Sequence, residues 1–309
     1  MNPSIASRTA LAASLMRALH SRSDPAPLLS DTWGDLLVPE SAQAALRQRA
    51  MERVGAAKPG LRLDGAQGLE HRLRSNAAYA DVILRSRYTE DALKEAVARG
   101  IGQYVIIGAG FDSFICRRPA WAENVTIIEV DHPSTQRLKR ERLAACGVTL
   151  PRSIEFVEAD LSMESLRAAL ARSSFQADCL TFFSWLGVTM YLTREANLSA
   201  LGSIAACAPA GSELVFTYVD EAVLDLNQAP DESFRRLMAD VSDAGEAFLS
   251  GFEARTMSEL LLETRLLVLE DLDGNQAASR YDPGAQNAFR TAAAAHIIHV
   301  RGMGPDPAA

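Results

Sequence analysis

The chain has 309 residues, 48% hydrophobic and 23% charged, a globular balance that excludes a disordered or fibrous protein. Lys and Arg number 31 against 39 Asp and Glu, and the net charge of −8 supplies no basic footprint for nucleic acid or an anionic membrane. No apolar stretch approaches the ~18 residues of a membrane span, and Cys116, Cys146, Cys179 and Cys207 lack a Cys-x-x-Cys spacing, which suits small core residues in a reducing cytoplasm.

From Met1 to Ser23 there is no acid, and Arg8, Arg17 and Arg22 interleave with Ala, Leu and Ser as in a transit peptide. Leu11, Leu15 and Leu19 recur every four residues, however, and predict an amphipathic helix, the reading we prefer. Helical patterns follow at 41–54, 77–83 and 92–98, the last stopped by Gly100. Pro25-Ala-Pro27, Pro39 and Lys58-Pro59-Gly60 mark loops between them. Residues 1–100 thus read as a helical cap lying over whatever the rest of the chain binds.

From residue 101 the pattern alternates. Apolar runs at 103–107, 125–130, 154–157, 178–183 and 212–218 are separated by helical segments at 135–146, 163–172 and 194–207. Runs at 265–272 and 295–300 supply a sixth and a seventh strand. Strand and helix in turn predict an α/β fold with a mostly parallel sheet covered on both faces, over residues 101–309. A polar insert at about 220–251 is long enough for one or two helices and a substrate lid.

The first of these strands carries the most informative motif. Gln103-Tyr-Val-Ile-Ile-Gly-Ala-Gly-Phe-Asp112 is an apolar run ending in Gly108 and Gly110, which let the backbone turn tightly and approach a ligand. Glu129 and Asp131 close the next strand, about 20 residues on, where a nucleotide-binding βαβ unit places the acid for a ribose. Ser113 stands where a dinucleotide fingerprint has its third Gly. The unit predicts an adenosine-containing cofactor. In a parallel sheet, Gly108, Asp131, Asp160 and the segment after Phe183 all fall at carboxyl ends of strands, so they converge in space.

Five blocks together resemble the leucine carboxyl methyltransferase family, which includes tetracenomycin-type polyketide O-methyltransferases. They are Arg85-Ser-Arg-Tyr-Thr-Glu-Asp91, Ile106-Ile-Gly-Ala-Gly-Phe-Asp112, Ile128-Glu-Val-Asp-His-Pro133, Ala159-Asp-Leu161 and Gly187-Val-Thr-Met-Tyr-Leu-Thr193. Ser7-Arg-Thr-Ala-Leu11 also fits the bacterial branch. The resemblance implies a Rossmann-like, seven-stranded class I methyltransferase that uses S-adenosyl-L-methionine and methylates oxygen, often a carboxylate of a small molecule or peptide.

It also implies roles. The turn Gly108-Ala109-Gly110 would lie under the methionine part of the cofactor with its amides exposed to it. Asp131 would accept from both ribose hydroxyls, and Glu129 is expected to point to the opposite face. Asp160 would bind the adenine amino group, with Leu161 packed on the ring. Arg85 would pair with the cofactor carboxylate through its rigid donor fork; the residue-level alternative is a solvated helix-face charge. Tyr191 is either a wall of the acceptor pocket, with a catalytic role, or a core aromatic. His132 is either a base or a structural donor, and His296 and His299 read as satisfied core or edge residues. No His, Cys, Asp and Glu group has metal-ligand spacing, and no Gly-x-Ser-x-Gly elbow is present.

The chain departs from the family pattern at one place. Many relatives carry a Glu just before the Gly-Val-Thr-Met-Tyr block, where this chain has Trp185-Leu186-Gly187, a more apolar wall. A carboxylate acceptor is ionised at neutral pH and needs no base, whereas a phenol would benefit from one. No base is evident in the sequence, which favours a carboxylate. Two other functions share the same unit: a nicotinamide-dependent oxidoreductase, and a catalytically silent cofactor-binding protein.

Overall fold

The computed structural model describes residues 7–57, 65–225 and 232–304, without the side chains of 52–57 and 233. Met1 to Ala6, the Lys58-Pro59-Gly60 loop and residues 226–231 of the expected insert lie outside the described residues. Five helices come first: α1 (Arg8–Ser23), α2 (Gly34–Leu37), α3 (Glu40–Ala57), α4 (Gly65–Arg74) and α5 (Ala78–Ala98). Next come β1 (Gln103–Ile107), β2 (Thr126–Asp131), α6 (Pro133–Ala145), β3 (Ile154–Glu158), α7 (Leu166–Leu170), β4 (Thr181–Trp185), α8 (Arg194–Cys207) and β5 (Glu213–Val219). The chain continues through α9 (Glu232–Asp243), α10 (Ala254–Glu263), β6 (Leu266–Asp273), α11 (Gly274–Tyr281) and β7 (Ala295–Gly302).

All seven strands join one sheet in the order β3-β2-β1-β4-β5-β7-β6. The first five run parallel, and β7 enters antiparallel between β5 and β6. This is the α/β, mostly parallel sheet that the alternation predicts. β1 sits mid-sheet with all five residues buried, as a short apolar run requires. β4 begins three residues later than the apolar run suggests, because it pairs from Gln103↔Thr181 onward and the Gln103 amide bonds Thr181 Oγ1 at 3.0 Å.

Alternate strand residues feed two cores. Tyr104, Ile106, Ile127 and Phe182 face α1, α5 and α6, while Val105, Ile107, Val130 and Phe183 face α7, α8 and α10. Leu15 and Leu19 of α1 and Ile83 and Leu93 of α5 belong to the same core as Tyr104 and Phe182, so the helical cap and the sheet share one interior. Each such side chain contributes roughly 1.5–3 kcal/mol on burial. α1 is not amphipathic as expected: beyond Leu11, Leu15 and Leu19 it also buries Ser14, Arg17 and His20, each with a partner. α5 joins two expected helices into one of 21 residues, since no Gly or Pro interrupts it. Arg85 therefore lies inside a helix.

Of the cysteines only Cys207, the last residue of α8, is a core residue; Cys116, Cys146 and Cys179 are half-buried.

Candidate cofactor and acceptor site

A cavity of about 1010 Å³ opens at the carboxyl ends of β1, β2 and β4, beneath the start of α1 and beside α9. Its volume lies at the top of the range for one small ligand, which leaves room for two molecules side by side. Gly108, Ala109, Gly110, Asp131, Asp160, Leu161, Arg85 and Tyr191, spread over more than a hundred positions of sequence, all line it.

The glycine turn is held differently from the expectation. Gly108 N–H donates to Val130 O at 2.8 Å, Ala109 N–H to the same oxygen at 3.4 Å, and Gly110 N–H to the Asp131 carboxylate. The amides are thus spent on the end of β2 and not exposed to a ligand. The glycines supply shape: Gly108 has φ +65°, and a Cβ there would stand 2.5 Å from Val188 Cγ2. On the cap side, Arg17 Nη2 reaches Phe111 O at 2.6 Å, fixing the turn to α1.

Asp131 receives Gly110 N–H on one oxygen and His132 N–H at 2.6 Å on the other. Burial raises its pKa, and these two backbone donors work against that rise. A carboxylate offers about four acceptor positions, so about two remain for a ligand at the cavity wall. Glu129 does not point to the opposite face. Residues two apart on a strand share a face, and α6 covers both. Glu129 lies deeper and is fully buried, with Oε2 bound to Lys139 Nζ at 2.6 Å and Oε1 without a partner among the described residues. Burial pushes its pKa up to about 7 against the pull of Lys139.

Asp160 accepts Ser162 N–H at 3.0 Å and Ser162 Oγ–H at 2.6 Å on Oδ1, which lower its pKa. Its Oδ2 faces the cavity, 3.9 Å from His132 Nε2. The other ring nitrogen of His132 caps α6 through Ser134, so this histidine is structural in its contacts. His296 bonds Asp271 and His299 bonds Glu213, both as satisfied groups on β7.

Arg85 is no solvated surface charge: its side chain is 14% exposed, and its Nη1 meets Asp81 Oδ2 at 2.6 Å. Its guanidinium lies flat on Gly187, where a Cβ would stand 2.5 Å from Nη2. Leu186 is a half-buried, apolar wall residue. Trp185 ends β4 fully buried beside Phe216, its indole N–H without a partner among the described residues.

Tyr191 is at once a cavity-wall residue and a packed aromatic, edge-on against Phe248 with centroids 5.4 Å apart. Burial pushes its hydroxyl up to about 12, opposed by a hydrogen bond with Thr9. Thr9 belongs to a cluster that sequence reasoning did not find. Glu246, beyond α9, accepts Arg8 N–H at 3.1 Å, Thr9 N–H at 3.2 Å and Thr9 Oγ–H at 2.5 Å, latching the first turn of α1 over the cavity. Nothing local in the sequence marks a contact spanning 237 positions. Asp81 also escaped notice, although its i, i+4 spacing from Arg85 was a legible signal.

A family model of leucine carboxyl methyltransferase matches residues 10–205. A Bacillus subtilis protein named as putative S-adenosyl-L-methionine-dependent methyltransferase YktD is 27% identical over 97% of this chain and 99% of its own length. A Mycolicibacterium vanbaalenii protein with the same description, without the YktD name, is 30% identical over 87% of this chain and 85% of its own. Among solved structures, a DUF574 family protein from Streptomyces avermitilis aligns with TM-score 0.55 at 13% identity, covering 84% of this chain and 96% of that one. A putative methyltransferase from Thermobifida fusca aligns with TM-score 0.56 at 14% identity, over 87% and 93%. At such identities the structures speak for the fold alone. The family match spans the cap, the glycine turn, both acids and Tyr191, and the chain belongs to the leucine carboxyl methyltransferase family.

Proposed function

We propose that this chain transfers a methyl group from S-adenosyl-L-methionine to a carboxylate oxygen of a small molecule or peptide. The donor set fits the cofactor. Asp131 keeps about two acceptor positions for the ribose hydroxyls, as charge-assisted bonds. Asp160 Oδ2 would take the adenine amino group, with Leu161 against the ring. Arg85 keeps Nε and Nη2 for the amino-acid carboxylate. When bound, the cofactor supplies a methyl group activated by its sulfonium charge.

The protein's own part is placement and dryness. Met190, Phe234 and Phe248 make one apolar cluster beyond Gly187, and this end of the cavity excludes water from a transfer in which charge separation is lost. Orientation of two molecules in one cavity supplies up to roughly 7–11 kcal/mol in well-aligned cases.

The observation that carries the carboxylate assignment is the placing of the two side chains weighed as bases: His132 is engaged by Ser134 and faces Asp160, and Tyr191 is packed edge-on against Phe248. With its hydroxyl pushed up to about 12, Tyr191 is a donor at neutral pH and cannot take a proton from a phenol. An acceptor that arrives already ionised meets no obstacle here, since a free carboxyl titrates near ~4.

Methyl-labelled cofactor with a panel of carboxylic acids and phenols tests this reading. Label should pass to acids, as a base-labile ester, at a rate level from about pH 6 to 8. A rate rising steeply toward pH 9, or label on phenols alone, contradicts it. Cofactor binding without transfer to any acceptor would point to a silent binding protein.

A further inference from the structure

Arg85 and Asp81 sit one helical turn apart on α5, and both line the cavity. Surface pairs of this spacing are common and contribute little. This one is not on the surface: the side chains are 14% and 21% exposed, and the guanidinium rests on the Gly187 backbone. Gly187 holds φ +69°, a conformation that side chains rarely adopt, and any Cβ there would displace Arg85. The chain therefore builds a seat for this ion pair at the cavity wall.

The pair is only half used. Arg85 Nη1 bonds Asp81 Oδ2, and among the described residues Arg85 Nε and Nη2 and Asp81 Oδ1 make no other hydrogen bond. One free cationic fork and one free anionic oxygen stand side by side. Their complement is a molecule carrying a carboxylate and an ammonium on one carbon, the zwitterionic end of an α-amino acid.

Of the other acids that line the cavity, Asp243 is exposed at the end of α9, away from the Gly187 wall, and the remaining four each hold a partner. Asp131 holds the backbone of Gly110 and His132, Asp160 holds Ser162, Asp112 accepts Phe114 N–H at 2.7 Å, and Asp240 is bound to Arg72. Leu186 and Val188, flanking Gly187, are apolar. Asp81 is thus the carboxylate this wall offers to an ammonium.

We propose that Asp81 binds the α-ammonium of the cofactor's amino-acid arm, so that Asp81 and Arg85 together grip both charges of the zwitterion. This rests on the cleft being the S-adenosyl-L-methionine site, as read above. The arm that meets the clamp takes one charge to each partner, and the existing 2.6 Å contact keeps the two partners in place beforehand. Because the grip precedes binding, little side-chain freedom is lost when the arm arrives.

The test uses two neutral thioethers of the same nucleoside. S-adenosylhomocysteine carries the amino-acid arm, and 5′-methylthioadenosine has a methyl group in its place. Calorimetric titration of both into the intact chain and into Asp81→Asn should show the first weakened about tenfold or more and the second unchanged within about twofold, as expected for one hydrogen bond to a charged group. Asp81→Glu should recover part of the loss, and a melting curve of each variant reports its fold. Equal weakening of both ligands makes Asp81 a structural residue and overturns the clamp. Unchanged binding of both, with a raised KM for the acceptor, assigns the pair to the acceptor and overturns it too. If the unaltered chain binds neither nucleoside, the cofactor reading of the cleft fails and the clamp fails with it.

Discussion

At the β2 end of the cavity, Asp131 is braced by the backbone of Gly110 and His132, whereas at the far end Tyr191 rests on Phe248 and on a latch between Glu246 and α1. The first end is made of strand termini and a turn, fixed by the sheet itself. The second is assembled from side chains of the cap, the turn after β4 and the segment after α9. In the reading proposed above the first end holds the cofactor, which needs the same geometry in every relative, and main-chain bonds supply it. The second end takes the acceptor in that reading; an acceptor differs from one enzyme to the next, and side chains on such segments can be exchanged without disturbing the sheet.

The contrast can be broken at its base. Lys139→Met leaves the Glu129 carboxyl buried and unpaired beneath the cofactor end, and should cost about 3–5 kcal/mol of stability. The sign with pH follows from Glu129. Its folded pKa, about 7, is above its ordinary 4.5, so its contribution is present below 4.5 and lost as pH rises through 7. Removing Lys139 raises the folded value further, and the deficit in denaturant unfolding should be larger at pH 8 than at pH 5. An equal deficit at both would mean that the lysine only fills space.

A smaller effect should follow from opening the latch. Glu246→Ala removes three acceptor contacts at the start of α1, and about 2–3 kcal/mol with them. If the two ends are separate, the acceptor KM rises while affinity for S-adenosylhomocysteine stays within about threefold. Loss of both together would show that α1 serves the cofactor as well.

Smallest of all should be Tyr191→Phe, which keeps the contact with Phe248 and deletes the hydroxyl. We expect kcat/KM for the acceptor to fall by about tenfold or less, with the pH profile unchanged because a phenol near 12 does not titrate between 6 and 8. A changed profile would make Tyr191 a proton-transfer group.

Much of this was legible in the sequence, and the reasons are local. The run 103–107 with its glycines, and the acid at 131, announce themselves because a strand buried on both faces and a tight turn each constrain their own residues. Asp131 and Asp160 reach the cavity because parallel strands end at one edge. Where the sequence misled, depth or distance was at fault. Strand parity itself puts Glu129 on the face of Asp131, contrary to the expectation, but it does not show that α6 seals the one and leaves the other at the cavity. The amides of the turn looked available because nothing in the motif shows that Val130 O claims two of them. The Thr9 and Glu246 contact spans 237 positions and leaves no periodic mark.

Titration of S-adenosylhomocysteine into the unaltered chain and into Asp131→Asn tests the account at its centre. We predict binding by the unaltered chain and a fall of about 30-fold or more in the variant, since two charge-assisted bonds to the ribose lose their ionised acceptor. Equal affinity in both proteins would contradict the account.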